Sequence, residues 1–177
     1  SGPIWVEAIA DQLQQAGRTA EAETGVYEVT LNELLACDNF AHLNTLIIRA
    51  DLYHEIGGMD ESLRYEPDRD LYLRLVDRAK GMLYHPAVVA HHHIPVPANK
   101  SNVSTLVSWS QKRQYQLYLL GKILTSAQTE EIRRYCRRYL SYTYQHISAL
   151  EQEKKNLKAA AYYARLGAMT SRNPVQH

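Results

Sequence analysis

The spacing of apolar and polar residues predicts short, alternating elements in the first part of the chain. Apolar residues at helical spacing predict a helix over residues 4–15, which Gly17 ends. Residues 25–29 alternate as a brief strand does. Residues 46–48 are apolar on both faces, which predicts a buried strand, and residues 82–90 predict a second strand with an edge or a bulge at its proline.

Polar residues and glycines mark the ends of further predicted helices. Thr30 and Glu33 form a capping-box pattern ahead of a short helix. Asp51 is expected to cap the next helix, and Gly57 supplies the left-handed residue that stops it. Pro67 fits the first turn of an amphipathic helix, where its missing N–H costs nothing.

The last part of the chain has the pattern of helices throughout. The predicted helices cover residues 104–124, 127–150 and 156–169. We therefore expect a small α/β unit over residues 1–103, followed by an all-helical C-terminal extension over residues 104–177.

Composition narrows the classes of protein to which the chain can belong. Its 177 residues suit one domain, and a net charge of +1 gives no electrostatic case for nucleic acid or an anionic membrane. Cys37 and Cys136 lie too far apart to suggest a metal knuckle or a disulfide framework, so a reduced, cytoplasmic setting is the default. No apolar run is long enough to span a bilayer. Because the chain opens Ser-Gly-Pro without Met, we expect either an added N-terminal scar or a domain cut from a longer protein, so that targeting signals could lie outside this sequence.

Chemistry is most plausible where carboxylates at a predicted helix start precede a run of histidines. Asp68 and Asp70 fall in the first turn of that helix, and residues 91–93 are all histidine. A helix N-terminus favours the ionised form of a carboxylate. The alternative is that Asp68 and Asp70 only stabilise the helix, as acidic residues in a first turn commonly do.

Four successive segments resemble the second half of a family 2 glycosyltransferase with the GT-A fold. They are an apolar segment ending in Arg49, a Gly-Gly-Met-Asp-Glu turn over residues 57–61, an Asp-Arg-Asp-Leu helix start at 68–71, and a histidine-bearing loop that leads to Ser101. The resemblance covers about residues 30–105. The sequence departs from the family pattern at Met59, where an aromatic residue is usual, and at Pro67, where a glutamate is usual.

The resemblance implies a partial GT-A-like (Rossmann-like) fold and transfer of a sugar from a nucleotide-sugar to an acceptor hydroxyl, with inversion. It makes Asp68 the base that takes the proton of the acceptor, while Asp70 or Glu66 orients Arg69 or a sugar hydroxyl. The spacing of Asp68 and Asp70 also matches the metal-binding Asp-x-Asp pattern. We reject that role here because the metal motif of the family follows a strand in the nucleotide-binding half, which this sequence lacks.

Further candidate residues follow from the same resemblance. His91 and His93 fall on one side of a strand and could hold a metal, and Lys100 and Ser101 could contact the donor phosphates. A polar strand end and a solvated loop are the alternatives. Mn or Mg is expected in the full enzyme and not on this chain, which we expect to be inactive alone.

The resemblance also implies partners and a setting. The donor would be a nucleotide-sugar, and the acceptor a glycan or a lipid-linked glycan in polysaccharide biosynthesis, at the cytoplasmic face of a membrane. Arginine and tyrosine residues between Arg133 and Tyr144 could suggest nucleic acid, but their spacing favours a solvated amphipathic helix. The last two predicted helices resemble one tetratricopeptide-like pair. The competing hypothesis is therefore a non-catalytic interaction module that binds a protein partner, or a second copy, through its helical tail.

Overall fold

The computed structural model describes residues 6–37, 40–90 and 106–172, with side chains from residue 9 to residue 171. Contacts among these residues define two compact units. The first unit comprises the described chain up to Gly58 and from Leu71 to residue 90. The second comprises Met59–Asp70 and the described chain from residue 106 onward.

Short elements build the first unit. In chain order they are helix α1 (Val6–Gln15), strand β1 (Tyr27–Glu28), helix α2 (Leu31–Leu35), a 3-10 turn (Leu43–Thr45), helix α3 (Ala50–Glu55), the part of helix α4 (Pro67–Arg78) from Leu71 onward, and strand β2 (Leu83–Tyr84). Strands β1 and β2 pair antiparallel, with Tyr27 opposite Tyr84. The N–H of Val29 continues this pairing by donating to the carbonyl of Met82 at 2.9 Å.

The core of the first unit forms where α1 and α2 bury apolar side chains beside β1. Its buried members are Ile9, Leu13, Tyr27, Val29, Leu34 and Cys37. Ile9 and Leu13 are four residues apart and therefore lie on one face of α1, as the predicted helical spacing requires. Cys37 behaves as a small buried hydrophobe.

Three long helices build most of the second unit. They are α5 (Trp109–Ser126), α6 (Glu130–Glu153) and α7 (Leu157–Arg172). Ser108 caps α5 in a capping box with Gln111, and the Thr129 hydroxyl accepts from the N–H of Ile132 at the start of α6. The segment Met59–Asp70 belongs to this unit and includes the first turn of α4.

Helices α6 and α7 approach closely because small residues lie between them. The Ser141 hydroxyl donates to the carbonyl of Gly167, and the Ser148 hydroxyl donates to the carbonyl of Ala160, each at 2.8 Å. A Cβ atom on Gly167 would lie 3.2 Å from the carbonyl oxygen of Ser141. The hydrogen-bonding needs of these buried hydroxyls are therefore met by the facing backbone.

The predicted α/β fold with a partial GT-A-like, Rossmann-like unit is wrong. The described residues are mostly helical, and the sheet found among them has two strands, each two residues long. Residues 46–48 form no strand, and Ile47 is 99% exposed. The predicted strand over residues 82–90 shrinks to Leu83–Tyr84. A Rossmann-like unit needs several parallel strands joined by helical crossovers, which this antiparallel pair does not supply.

The predicted helix boundaries agree with the structure better than the predicted strands do. The capping box of Thr30 and Glu33 is confirmed at α2, and Gly57 takes the left-handed conformation, with φ of 78°, after α3. Asp51 is not the cap of α3, because Arg49 occupies the cap position and Asp51 lies in the first turn. The three predicted helices of the C-terminal part are confirmed, with each boundary shifted by a few residues. Within the described parts of the chain, no helix combines the length and apolarity needed to cross a bilayer.

Candidate functional site at the start of helix α4

The double glycine before α4 forms a turn that only glycine adopts easily. Gly57 and Gly58 have φ of 78° and 66°, both in the left-handed region. A Cβ atom on Gly58 would lie 3.0 Å from the hydroxyl of Tyr53. Arg74 of α4 donates to the carbonyls of Ile56 and Gly58, each at 2.7 Å, and so fixes the backbone of this turn.

Asp60 is held by hydrogen bonds at both of its carboxylate oxygens. Oδ1 accepts from the N–H of Ser62 at 2.9 Å and from its hydroxyl at 2.6 Å. Oδ2 accepts from Lys122 Nζ at 2.7 Å. The bonds from Lys122 and Ser62 lower the pKa of Asp60 to about 2, so this carboxylate is ionised at neutral pH.

Asp70 is fully buried in the second unit. Its side chain is 0% exposed, and Lys122 Nζ lies 2.8 Å from its Oδ1. Burial works against the charged form of Lys122, but the bonds to Asp60 and Asp70 outweigh it and raise the pKa of Lys122. The arrangement is therefore one ammonium group between two carboxylates, which joins α5 to the segment before α4.

Asp68 occupies a different environment from Asp60 and Asp70. It is half-buried, lies in the first turn of α4, and accepts from the N–H of Arg69 at 2.9 Å. Within the described residues it forms no ion pair, whereas Asp60 and Asp70 share Lys122. Of the two aspartates in the first turn of α4, Asp68 is therefore the one that is open to an incoming group.

Glu66 and Arg69 form a network beside Asp68. Glu66 has φ of 53°, which is unusual for a residue with a side chain. Its carboxylate accepts from Arg69 at 3.1 Å and from Gln116 at 2.8 Å. Arg69 also donates to the Tyr135 hydroxyl at 2.9 Å, and its guanidinium lies 4.4 Å from the ring centroid of Tyr139. Burial lowers the pKa of Arg69, but Tyr135 and Glu66 more than offset this, so its pKa is raised.

Of the predicted site residues, two lie together in the structure and the others fall outside the residues that it describes. Asp68 and Asp70 share the first turn of α4 in different environments. His91, His93, Lys100 and Ser101 lie outside the described residues. In the described ranges, no group of three metal-ligating side chains comes together.

Sequence reasoning missed the residues that hold this segment from the helical part of the chain. Lys122, Gln116 and Tyr135 lie 50 to 66 positions from their partners. The available signal was helical spacing: Gln116 and Leu120 are four residues apart on the buried face of α5, so a polar residue on that face needed a partner.

Comparison of the chain with protein-family models, with curated proteins and with solved structures found no match.

Proposed function

We propose that these residues belong to an enzyme that transfers a sugar from a nucleotide-sugar to an acceptor hydroxyl, with Asp68 as the base. The observation that carries the proposal is the contrast between Asp68, which is half-buried and without an ion pair in the described chain, and Asp70, which is buried against Lys122. A base must reach the proton that it removes. Asp68 is accessible from solvent, whereas Asp70 is buried.

The local backbone adds support to the proposal. Non-glycine residues at positive φ cost about 1–3 kcal/mol and cluster at active sites. Glu66 is such a residue, two positions before Asp68, and is held by Arg69 and Gln116. These hydrogen bonds anchor the residue just before the first turn of α4, and a base works best when it is held at a fixed position.

The proposed reaction is a displacement at the anomeric carbon. The acceptor oxygen forms the new bond to that carbon as the bond to the diphosphate breaks, and the nucleoside diphosphate leaves with the bonding electrons. Asp68 takes the proton of the acceptor hydroxyl. Asp70, held by Lys122, positions the first turn of α4. A divalent metal such as Mn²⁺ or Mg²⁺, the donor site and the glycan or lipid-linked acceptor belong to the proposal for the whole enzyme.

A turnover assay tests the proposal. The whole natural protein, supplied with a panel of nucleotide-sugars, Mn²⁺ and a mixed glycan acceptor, is expected to release a nucleoside diphosphate from at least one donor. The 177-residue chain alone is expected to release little. No release by the whole protein from any donor, with or without metal, would overturn the proposal.

The second candidate is a non-catalytic interaction module. It is favoured by large aromatic side chains that the three tail helices leave exposed, namely Trp109, Tyr118, Tyr142 and Tyr162. This hypothesis predicts self-association of the chain, measured by sedimentation at increasing concentration and weakened by Tyr162→Ser. A monomer at all concentrations, together with turnover by the whole protein, would exclude self-association in favour of the enzyme.

A further inference from the structure

A small cleft opens in the second unit beside Arg69. Its volume is about 200 Å³. The side chains around it are cationic, amide, hydroxyl and aromatic: Arg69, Arg113, Gln116, Tyr139, Tyr142, Thr143 and His146. Among the described residues no carboxylate lines it, so the cleft is suited to an anion more than to a cation.

The two arginines of the cleft differ in how their charges are balanced. Arg69 is paired with Glu66 at 3.1 Å. Arg113 donates to the neutral amide oxygen of Gln116 at 2.6 Å and lies over the ring of Trp109 at 5.6 Å. Among the described residues, its buried Nε has no acceptor and no carboxylate lies within ion-pair distance of its guanidinium. A guanidinium whose donors are only partly used is a ready partner for an oxyanion.

The aromatic wall of the cleft offers a flat surface next to that charge. Tyr142 is 50% exposed and packs edge-on against Tyr139, with ring centroids 6.0 Å apart. Arg69 covers the ring of Tyr139, so the ring of Tyr142 is the one that stays available. A half-exposed tyrosine ring packs well on a small ring that is apolar on its face and polar at its edge.

We propose that this cleft binds a sugar ring that carries one oxyanion, a phosphate or a carboxylate, with the oxyanion on Arg113 and the ring on Tyr142. The cleft, at about 200 Å³, is smaller than the pockets of about 300–1,000 Å³ that take drug-sized ligands, so its size favours a small ligand. The proposal does not depend on the function proposed above, since it uses neither Asp68 nor a donor nucleotide.

Titration calorimetry on the 177-residue chain tests the proposal. The probes are glucose 1-phosphate and glucuronic acid, with inorganic phosphate and glucose as compounds that carry one feature each. Both anionic sugars are expected to bind saturably, inorganic phosphate more weakly, and glucose not measurably. Arg113→Gln should weaken binding of both about tenfold or more, because it removes a charge-assisted bond.

Two further variants give the test its controls. Tyr142→Ala, at an exposed position, should weaken the anionic sugars several-fold and leave inorganic phosphate unchanged. Arg134→Gln, which removes an exposed arginine of α6 outside the cleft, should change neither. Absence of saturable binding by both anionic sugars, or equal binding by Arg113→Gln and Arg134→Gln with unchanged helix content, would overturn the proposal. Inorganic phosphate binding as tightly as glucose 1-phosphate would overturn the part assigned to Tyr142.

Discussion

Lys122 forms ion pairs with Asp60 and Asp70, and these pairs distinguish the two carboxylates from that of Asp68. It lies 2.7 Å from Asp60 and 2.8 Å from Asp70, and no comparable cation reaches Asp68 in the described chain. The acidic residues could be identified from the sequence. Which of the aspartates is held in an ion pair, and which is accessible, could not. That distinction depends on a residue 62 positions beyond Asp60, and such a pairing leaves no local pattern.

Removal of the ammonium group should be costly. Lys122→Met removes the ammonium group that lies 2.8 Å from the fully buried Asp70, and removal of one partner of a buried pair costs about 3–5 kcal/mol. We expect a fall of about 3 kcal/mol in the free energy of unfolding, measured with urea, and partial recovery when Asp70→Asn is added. Lys158→Met, at an exposed position of α7, should stay within about 0.5 kcal/mol. Equal stability of the two lysine variants would contradict this account.

The ion pair of Lys122 with Asp60 predicts how the stability of the protein depends on pH. The pKa of Asp60 is lowered from 3.8 to about 2, first by Lys122 and then by Ser62. A lowered pKa gives stability that is present above the ordinary value and is lost as pH falls through the folded value. Asp60→Asn should therefore reduce the fall in unfolding free energy between about pH 4 and pH 2 by about 1 kcal/mol relative to the natural sequence. An equal fall in Asp60→Asn and in the natural sequence would show that Lys122 does not stabilise the ionised Asp60.

At the scale of helices and strands, most of the correct predictions rested on residues that lie close together in the sequence. Capping residues and glycines act within a few positions of each other, so Thr30 with Glu33, and Gly57 after α3, could be identified from sequence. Asp51 failed as a cap because Arg49 takes that position, and assignments of helix ends often differ by a residue or two. The contact between α6 and α7 was not predictable, because it depends on which small residues face each other.

Gly167 should be sensitive to side-chain volume. A Cβ atom there lies 3.2 Å from the Ser141 carbonyl and 3.4 Å from the side chain of Gln145, so Gly167→Leu must push α7 away from α6. We expect a loss of about 1–3 kcal/mol in the free energy of unfolding, as overpacking typically costs. Gly121→Leu is the matched control, because a Cβ atom on Gly121 meets nothing within 4 Å and leucine favours a helix more than glycine does. A loss at Gly121 as large as that at Gly167 would contradict close packing of α6 on α7.

At the scale of the whole molecule, the α/β prediction failed because short apolar runs do not identify strands. Residues 46–48 are apolar, yet Ile47 is almost fully exposed and no partner strand pairs with it among the described residues. A strand exists only when another strand meets its backbone, and the partner is set by chain topology. Helices satisfy their own backbone, which is why the three C-terminal helices were predicted correctly.

For the candidate site, too, the local features could be predicted from the sequence and the long-range contacts could not. Its position at the start of α4, after a double-glycine turn, followed from the sequence. The burial of Asp70 and the contacts of Glu66 and Arg69 could not be predicted, because they depend on residues of α5 and α6 that lie far away in sequence.

The central claim is that Asp68 acts on the acceptor and does not merely stabilise α4. The most direct measurement compares kcat and thermal stability for Asp68→Asn and Glu61→Gln in the whole natural protein. Loss of a general base lowers kcat by about 10²- to 10⁴-fold, whereas loss of a helix-start carboxylate costs only about 0.3–1 kcal/mol of stability. We predict a fall in kcat of at least about a hundredfold for Asp68→Asn, with its stability near that of Glu61→Gln. A kcat for Asp68→Asn equal to that of Glu61→Gln would contradict the claim.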